Sequence, residues 1–114
     1  MRMWMIDPKL LCNKHLLGEH GEIHKFKKSF EKRYSVKGRL SPVIQIEPQN
    51  MKSRHDELAK ELKNRKMNHK SDYEQPNVDY IEGINNIVVD RNISLRDLSE
   101  RCQECKDKIG DILI

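Results

Sequence analysis

The sequence lacks any long apolar run. Nothing approaches the roughly 20 consecutive residues that cross a bilayer, and the opening Met1-Arg2-Met3-Trp4-Met5-Ile6 is too short for the apolar core of a secretion signal. A membrane is therefore not an expected partner. Cysteine is scarce and odd in number, at Cys12, Cys102 and Cys105 only, which argues against a secreted disulfide framework and for a reducing cytoplasm. No glycine-rich phosphate loop and no nucleophile elbow occur, so two common routes to nucleotide and ester chemistry are excluded. Aromatic residues make up only 5% of the chain, and no repeat or low-complexity tract is visible.

What is present is charge. Charged residues account for 35% and hydrophobic ones for 36% of 114 residues, a balance that suits amphipathic helices around a thin core better than a large buried sheet. A chain of this length supports one core, so residues 1–114 read as one all-α domain, a compact helical bundle expected to be monomeric. The net charge of +4 is uneven: residues 1–70 hold 17 Lys/Arg against 8 Asp/Glu, and residues 71–114 hold 5 against 10. The basic front favours a polyanion, because each phosphate neutralised releases condensed counterions. The acidic remainder is not expected to touch phosphate.

Asp7-Pro8 is a helix start, with a capping side chain followed by proline at the first helical position. It predicts a first helix over residues 8–33, with Gly18 and Gly21 inside it. Residues 34–50 read as a connector with at most one short extended piece, Val43-Ile44-Gln45-Ile46. Asn50 caps a second helix over 51–67, with Met51, Leu58, Leu62 and His55 along an apolar stripe and a basic opposite face. A weak third helix falls near Tyr80–Ile84. Ser94-Leu95-Arg96-Asp97 resembles a capping box opening a last helix that runs to about residue 112.

His15, Glu19 and Glu22 lie four and three residues apart, on one face of the first helix. Such a trio can shuttle protons or stabilise a developing cation, although by itself it also describes a salt-bridged helix face. Cys12-x-x-His15 and Cys102-x-x-Cys105 supply four zinc-compatible ligands if the last helix packs beside the first. No other cofactor is called for.

Three groups of residues carry a family resemblance: Met1-Arg2-Met3-Trp4, the run from Leu10 through His15-Leu16-Leu17-Gly18-Glu19-His20-Gly21-Glu22-Ile23-His24, and Arg54-His55-Asp56-Glu57-Leu58 with Asn68-His69-Lys70-Ser71. Over residues 1–72 the chain resembles the pyrimidine-dimer DNA glycosylases, the phage endonuclease V type of glycosylase and abasic-site lyase. Residues 73–114 form a divergent acidic part. The resemblance implies an all-helical DNA repair enzyme acting on damaged double-stranded DNA, with pyrimidine dimers as the expected lesion.

It also implies roles. The Met1 α-amine would be the nucleophile and Glu22 the catalytic acid/base, while Arg2, His15, Glu19, Lys25, Lys27, Lys28 and Arg54 would bind the substrate. An α-amine suits this work, since its reference pKa near 7.7–8.0 leaves a useful neutral fraction at physiological pH. Gly21 stands where better-known members carry arginine, and their aromatic C-terminal tail is replaced here by an aliphatic end. Trp4 could stack on a base or simply fill the core. The same residues also suit a non-catalytic nucleic-acid-binding or regulatory protein on this fold, with or without a zinc staple.

Overall fold

The computed structural model describes residues 2–41, 43–67 and 73–113, without the side chains of 111–113. Among these residues the protein is all-helical, with no strand. The α-helices are α1 (Asn13–Glu31), α2 (Met51–Asn64), α3 (Arg91–Arg101) and α4 (Gln103–Leu113), and single 3-10 turns lie at Pro8–Leu10, Lys37–Arg39, Pro48–Asn50 and Ile84–Asn86. No described helix is long and apolar enough to cross a membrane.

α1 packs on α2, α3 packs on α4, and α4 also meets the turn Pro8–Leu10. One stripe of α1, made of Leu16, Ile23, Phe26 and Phe30, faces Met51, Leu58 and Leu62 of α2 across a shared core. That spacing places side chains on one side of a helix. Tyr73, Val78, Leu98 and Cys105 join the same core, so the acidic part covers the basic part's apolar face.

Several element boundaries differ from the sequence expectation. The first helix does not run unbroken from Pro8. Asp7 does accept a hydrogen bond from the Lys9 N–H (3.0 Å), but only a 3-10 turn follows. The chain is extended at Leu11 and Cys12, and α1 begins at Asn13. The last helix is likewise two. Asp90, not Ser94, caps α3 by accepting from the Asn92 and Ile93 N–H groups, and the chain turns extended at Cys102 before α4.

α1 and α2 also end two and three residues before the expected positions 33 and 67, at Glu31 and Asn64. At α1 the Tyr34 N–H donates to the Ser29 carbonyl and that of Arg33 to Phe30; at α2 the Met67 N–H donates to Leu62 and that of Lys66 to Lys63. Both ends are complete Schellman motifs, with Arg33 (φ 54°) and Lys66 (φ 60°) in the left-handed position. Asn50 does not cap α2 with its side chain, which instead donates to Glu47 Oε1 (2.8 Å). Gln75 Oε1 accepts the Lys52 N–H (2.9 Å) in its place. The weak third helix is reduced to the turn Ile84–Asn86, entered through Gly83 at φ 71°. The extended piece near Val43 forms no strand; Gln45 merely accepts the Met3 N–H (2.8 Å). Asn68-His69-Lys70-Ser71 and Pro42 lie outside the described residues.

Candidate active site

The N-terminal segment runs along the edge of α1 and meets α3. Arg2 donates to Asp97 Oδ2 (3.3 Å) and Ser94 Oγ (3.0 Å), and its guanidinium covers the Trp4 ring at 4.5 Å from the centroid. Burial pushes the Arg2 pKa down, an effect that Asp97 partly offsets. Trp4 is 8% exposed and belongs to the core, and its ring meets His15 edge-on at 5.9 Å. Core packing is thus its role in the free protein.

Arg2, Trp4, His15 and Glu22 line one groove of about 290 Å³, with Lys14 and Arg101 at its sides. Glu22 Oε2 is buried and has no hydrogen-bond partner among the described residues, while Oε1 sits 3.9 Å from Lys25 Nζ. Of the expected catalytic pair, Glu22 lines the groove and keeps one buried carboxylate oxygen without a partner among the described residues. Met1 lies outside the described residues; Arg2, the next residue, lines the groove.

The other expected substrate-binding residues divide. At about 100° per residue, Lys25 falls roughly 60° from Glu22 around α1 and Lys28 roughly 120°, both exposed and on the same side as Lys14. Lys27 falls about 140° the other way, with its Nζ 5.6 Å from the Tyr73 ring centroid. It does not share the groove's side of α1.

Arg54 does not line the groove, whereas its partner Glu19 does. Arg54 donates through Nε and Nη2 to the two carboxylate oxygens of Glu19 (2.5 and 2.9 Å), and through Nη1 to the Ile6 carbonyl (2.6 Å) and Glu57 (2.7 Å). Their side chains are 1% and 0% exposed. Burial works against the guanidinium charge, but Glu19 and then Glu57 outweigh it and the Arg54 pKa is raised. Arg54 cannot reach a backbone phosphate from this position; the pair ties α2 to α1 at the groove's Glu19 side.

Sequence reasoning missed the arginines of a second, adjoining groove of about 500 Å³. Arg39, Arg96 and Arg101 line it together with Arg2. Ile93, Arg96, Asp97 and Arg101 sit at i, i+3, i+4 and i+8 on α3, one helix face, so the locally acidic part delivers cations to the same surface as Arg2.

Two further clusters of metal-ligating side chains are present, the first of which shares His15 with the groove. Cys12, His15, Cys102 and Cys105 bring their ligand atoms within 4.8 Å of one another. Burial and then Lys14 push the His15 pKa down, favouring neutral imidazole. Burial raises the Cys105 thiol to about 12; it opposes ionisation of Cys102 too, but hydrogen bonds from Cys105 and Cys12 outweigh it and that thiol is lowered. On another side of α1, His20, His24 and His55 also lie within 4.8 Å, as a layer of rings in which His55 stacks on Tyr73 at 4.9 Å.

A family model described as pyrimidine dimer DNA glycosylase matches residues 1–75. No curated protein and no solved structure matches the chain.

Proposed function

The chain belongs to the pyrimidine dimer DNA glycosylase family, and from that premise we propose that it excises damaged bases from duplex DNA and nicks the resulting abasic strand through an imine at the Met1 α-amine. The observation that carries the reading is Glu22, which lines the groove together with Arg2 and whose buried Oε2 has no hydrogen-bond partner among the described residues.

In this scheme the neutral amine attacks the sugar C1′, and the glycosidic C–N bond breaks with its electron pair leaving on the base. The amine gives up one proton, O4′ takes one up as the C1′–O4′ bond breaks with its electron pair on oxygen, and the opened sugar is left as a protonated imine. Glu22 then removes a C2′ proton, and β-elimination expels the 3′ phosphate with the C–O electron pair. Arg2, Arg39, Arg96 and Arg101 hold backbone phosphates on either side of the lesion, joined by Lys14, Lys25 and Lys28 from α1. Such contacts position the duplex without reading its sequence. A lesion that already disturbs stacking lowers the few kcal/mol needed to extrude a nucleotide, which favours distorted duplex as substrate.

The test is strand cleavage of a duplex carrying one cyclobutane thymine dimer beside an undamaged duplex. Cleavage confined to the dimer strand is expected. Equal inertness toward both, by protein that binds the dimer duplex, counts against the reading.

A further inference from the structure

Both unexpected breaks in the helices fall on cysteines. Neither Cys12 nor Cys102 is preceded or followed by glycine or proline, so local propensity does not explain the breaks. The two sites share one local geometry. Cys12 caps α1: its carbonyl accepts the Leu16 N–H (2.9 Å) and its sulfur the N–H of His15 (3.4 Å). Cys102 does the same for α4, with its carbonyl accepting from Lys106 (2.9 Å) and its sulfur from Cys105 (3.5 Å). A third backbone donor, the Cys12 N–H, reaches Cys105 Sγ at 3.3 Å. One backbone N–H thus faces each of the three cysteine sulfurs.

Within each half the second ligand follows three residues after the cap, and the halves meet. Cys12 Sγ lies 3.8 Å from Cys102 Sγ and 3.1 Å from His15 Nδ1, and Cys105 Sγ lies 3.5 Å from His15 Nδ1. A disulfide requires about 2.05 Å between sulfurs, so Cys12 and Cys102 are not bonded. Tetrahedral zinc with bonds of about 2.3 Å to sulfur and 2.0–2.1 Å to nitrogen separates its ligands by about 3.8 Å for two sulfurs and about 3.6 Å for sulfur and nitrogen. The Cys12–Cys102 and Cys105–His15 separations match these values, the Cys12–His15 separation is about 0.5 Å shorter than the zinc-bound value, and all four ligand atoms lie within 4.8 Å of one another.

We infer that Cys12, His15, Cys102 and Cys105 bind one zinc ion as a structural centre, closed by protein ligands alone. The ion cross-links the start of α1 to the junction of α3 and α4, through cysteines ninety residues apart. That junction carries Arg101, and the start of α1 carries His15; both line the candidate active-site groove. Zinc thereby fixes one wall of the groove against the other. His15 binds through Nδ1 and keeps Nε2 for the groove, so the ligand role and a substrate-positioning role are compatible.

The test uses the purified full chain. Metal analysis after desalting is expected to find one zinc per chain, and substitution with cobalt to give the strong visible absorption of a tetrahedral site together with sulfur-to-metal charge transfer. The Cys102→Ser/Cys105→Ser variant is expected to lose the ion. A folded chain that takes up no zinc overturns the inference, as does zinc retained by the folded double variant. The cobalt spectrum of the unaltered chain decides the matter if that variant fails to fold: a site lacking sulfur charge transfer, such as the His20, His24 and His55 layer would give, contradicts it. None of these readouts depends on glycosylase activity.

Discussion

Arg54 of α2 grips Glu19 of α1 with two hydrogen bonds in a site from which water is excluded, the two side chains being 1% and 0% exposed. Removing one member of such a pair strands the other's charge in the interior. Glu19→Ala is therefore expected to destabilise the fold by about 3–5 kcal/mol in denaturant unfolding, whereas replacing both residues with apolar ones of similar volume should cost far less. A double-variant loss equal to the sum of the two single losses would show that the pair is not coupled.

The arginines of α3 are predicted to carry phosphate contacts. Arg96→Ala and Arg101→Ala should each weaken binding to damaged and undamaged duplex alike and reduce the salt dependence of log K by roughly 0.9. Affinities measured at several salt concentrations check this. Unchanged slopes would remove the second groove from the DNA footprint.

Lys66 occupies the left-handed position that ends α2 at φ 60°, a conformation costing a side-chain-bearing residue roughly 1 kcal/mol or more. Lys66→Gly keeps both hydrogen bonds of the motif and should raise stability by up to about 1 kcal/mol, net of the extra chain entropy of glycine. Thermal melts of the two proteins give the answer directly.

Glu22→Gln keeps the size and shape of the side chain, so fold and DNA affinity should persist while cleavage falls about 10²- to 10⁴-fold. The pH profile of the unaltered protein should climb through the range of an α-amine, reference about 7.7–8.0, and not that of lysine near 10.4. The sign follows from the nucleophile: the neutral amine attacks, so activity rises as its proton is lost. A profile still climbing steeply above pH 9 would point to a lysine instead.

The all-helical fold and the position of Glu22 were legible in the sequence, because the apolar stripe at Leu16, Ile23, Phe26 and Phe30 keeps helical spacing and Glu22 borders it. The burial of Arg54 was legible too, although the basic count of α2 obscured it. Met51, Arg54, His55, Leu58 and Leu62 stand at i, i+3, i+4, i+7 and i+11, so Arg54 belongs to the stripe and requires an interior partner, which Glu19 supplies from the matching stripe of α1. The breaks at Cys12 and Cys102 were not legible from propensity, because a contact between thiols ninety residues apart sets them. Arg96 and Arg101 were passed over because net charge sums a segment without locating its charges; the docking of α3 on Arg2, through Asp97 and Ser94, brings them to the groove.

The central claim, imine chemistry at Met1, is tested most directly by borohydride reduction during reaction with a duplex carrying a thymine dimer or an abasic site, using protein whose N-terminus is verified as free Met1. The account predicts a covalent protein–DNA adduct on both lesions, mapped to Met1 and absent from undamaged duplex. An adduct mapped to a lysine, or none at all from protein that binds the lesion duplex, would contradict it and leave a non-catalytic DNA-binding protein on this fold.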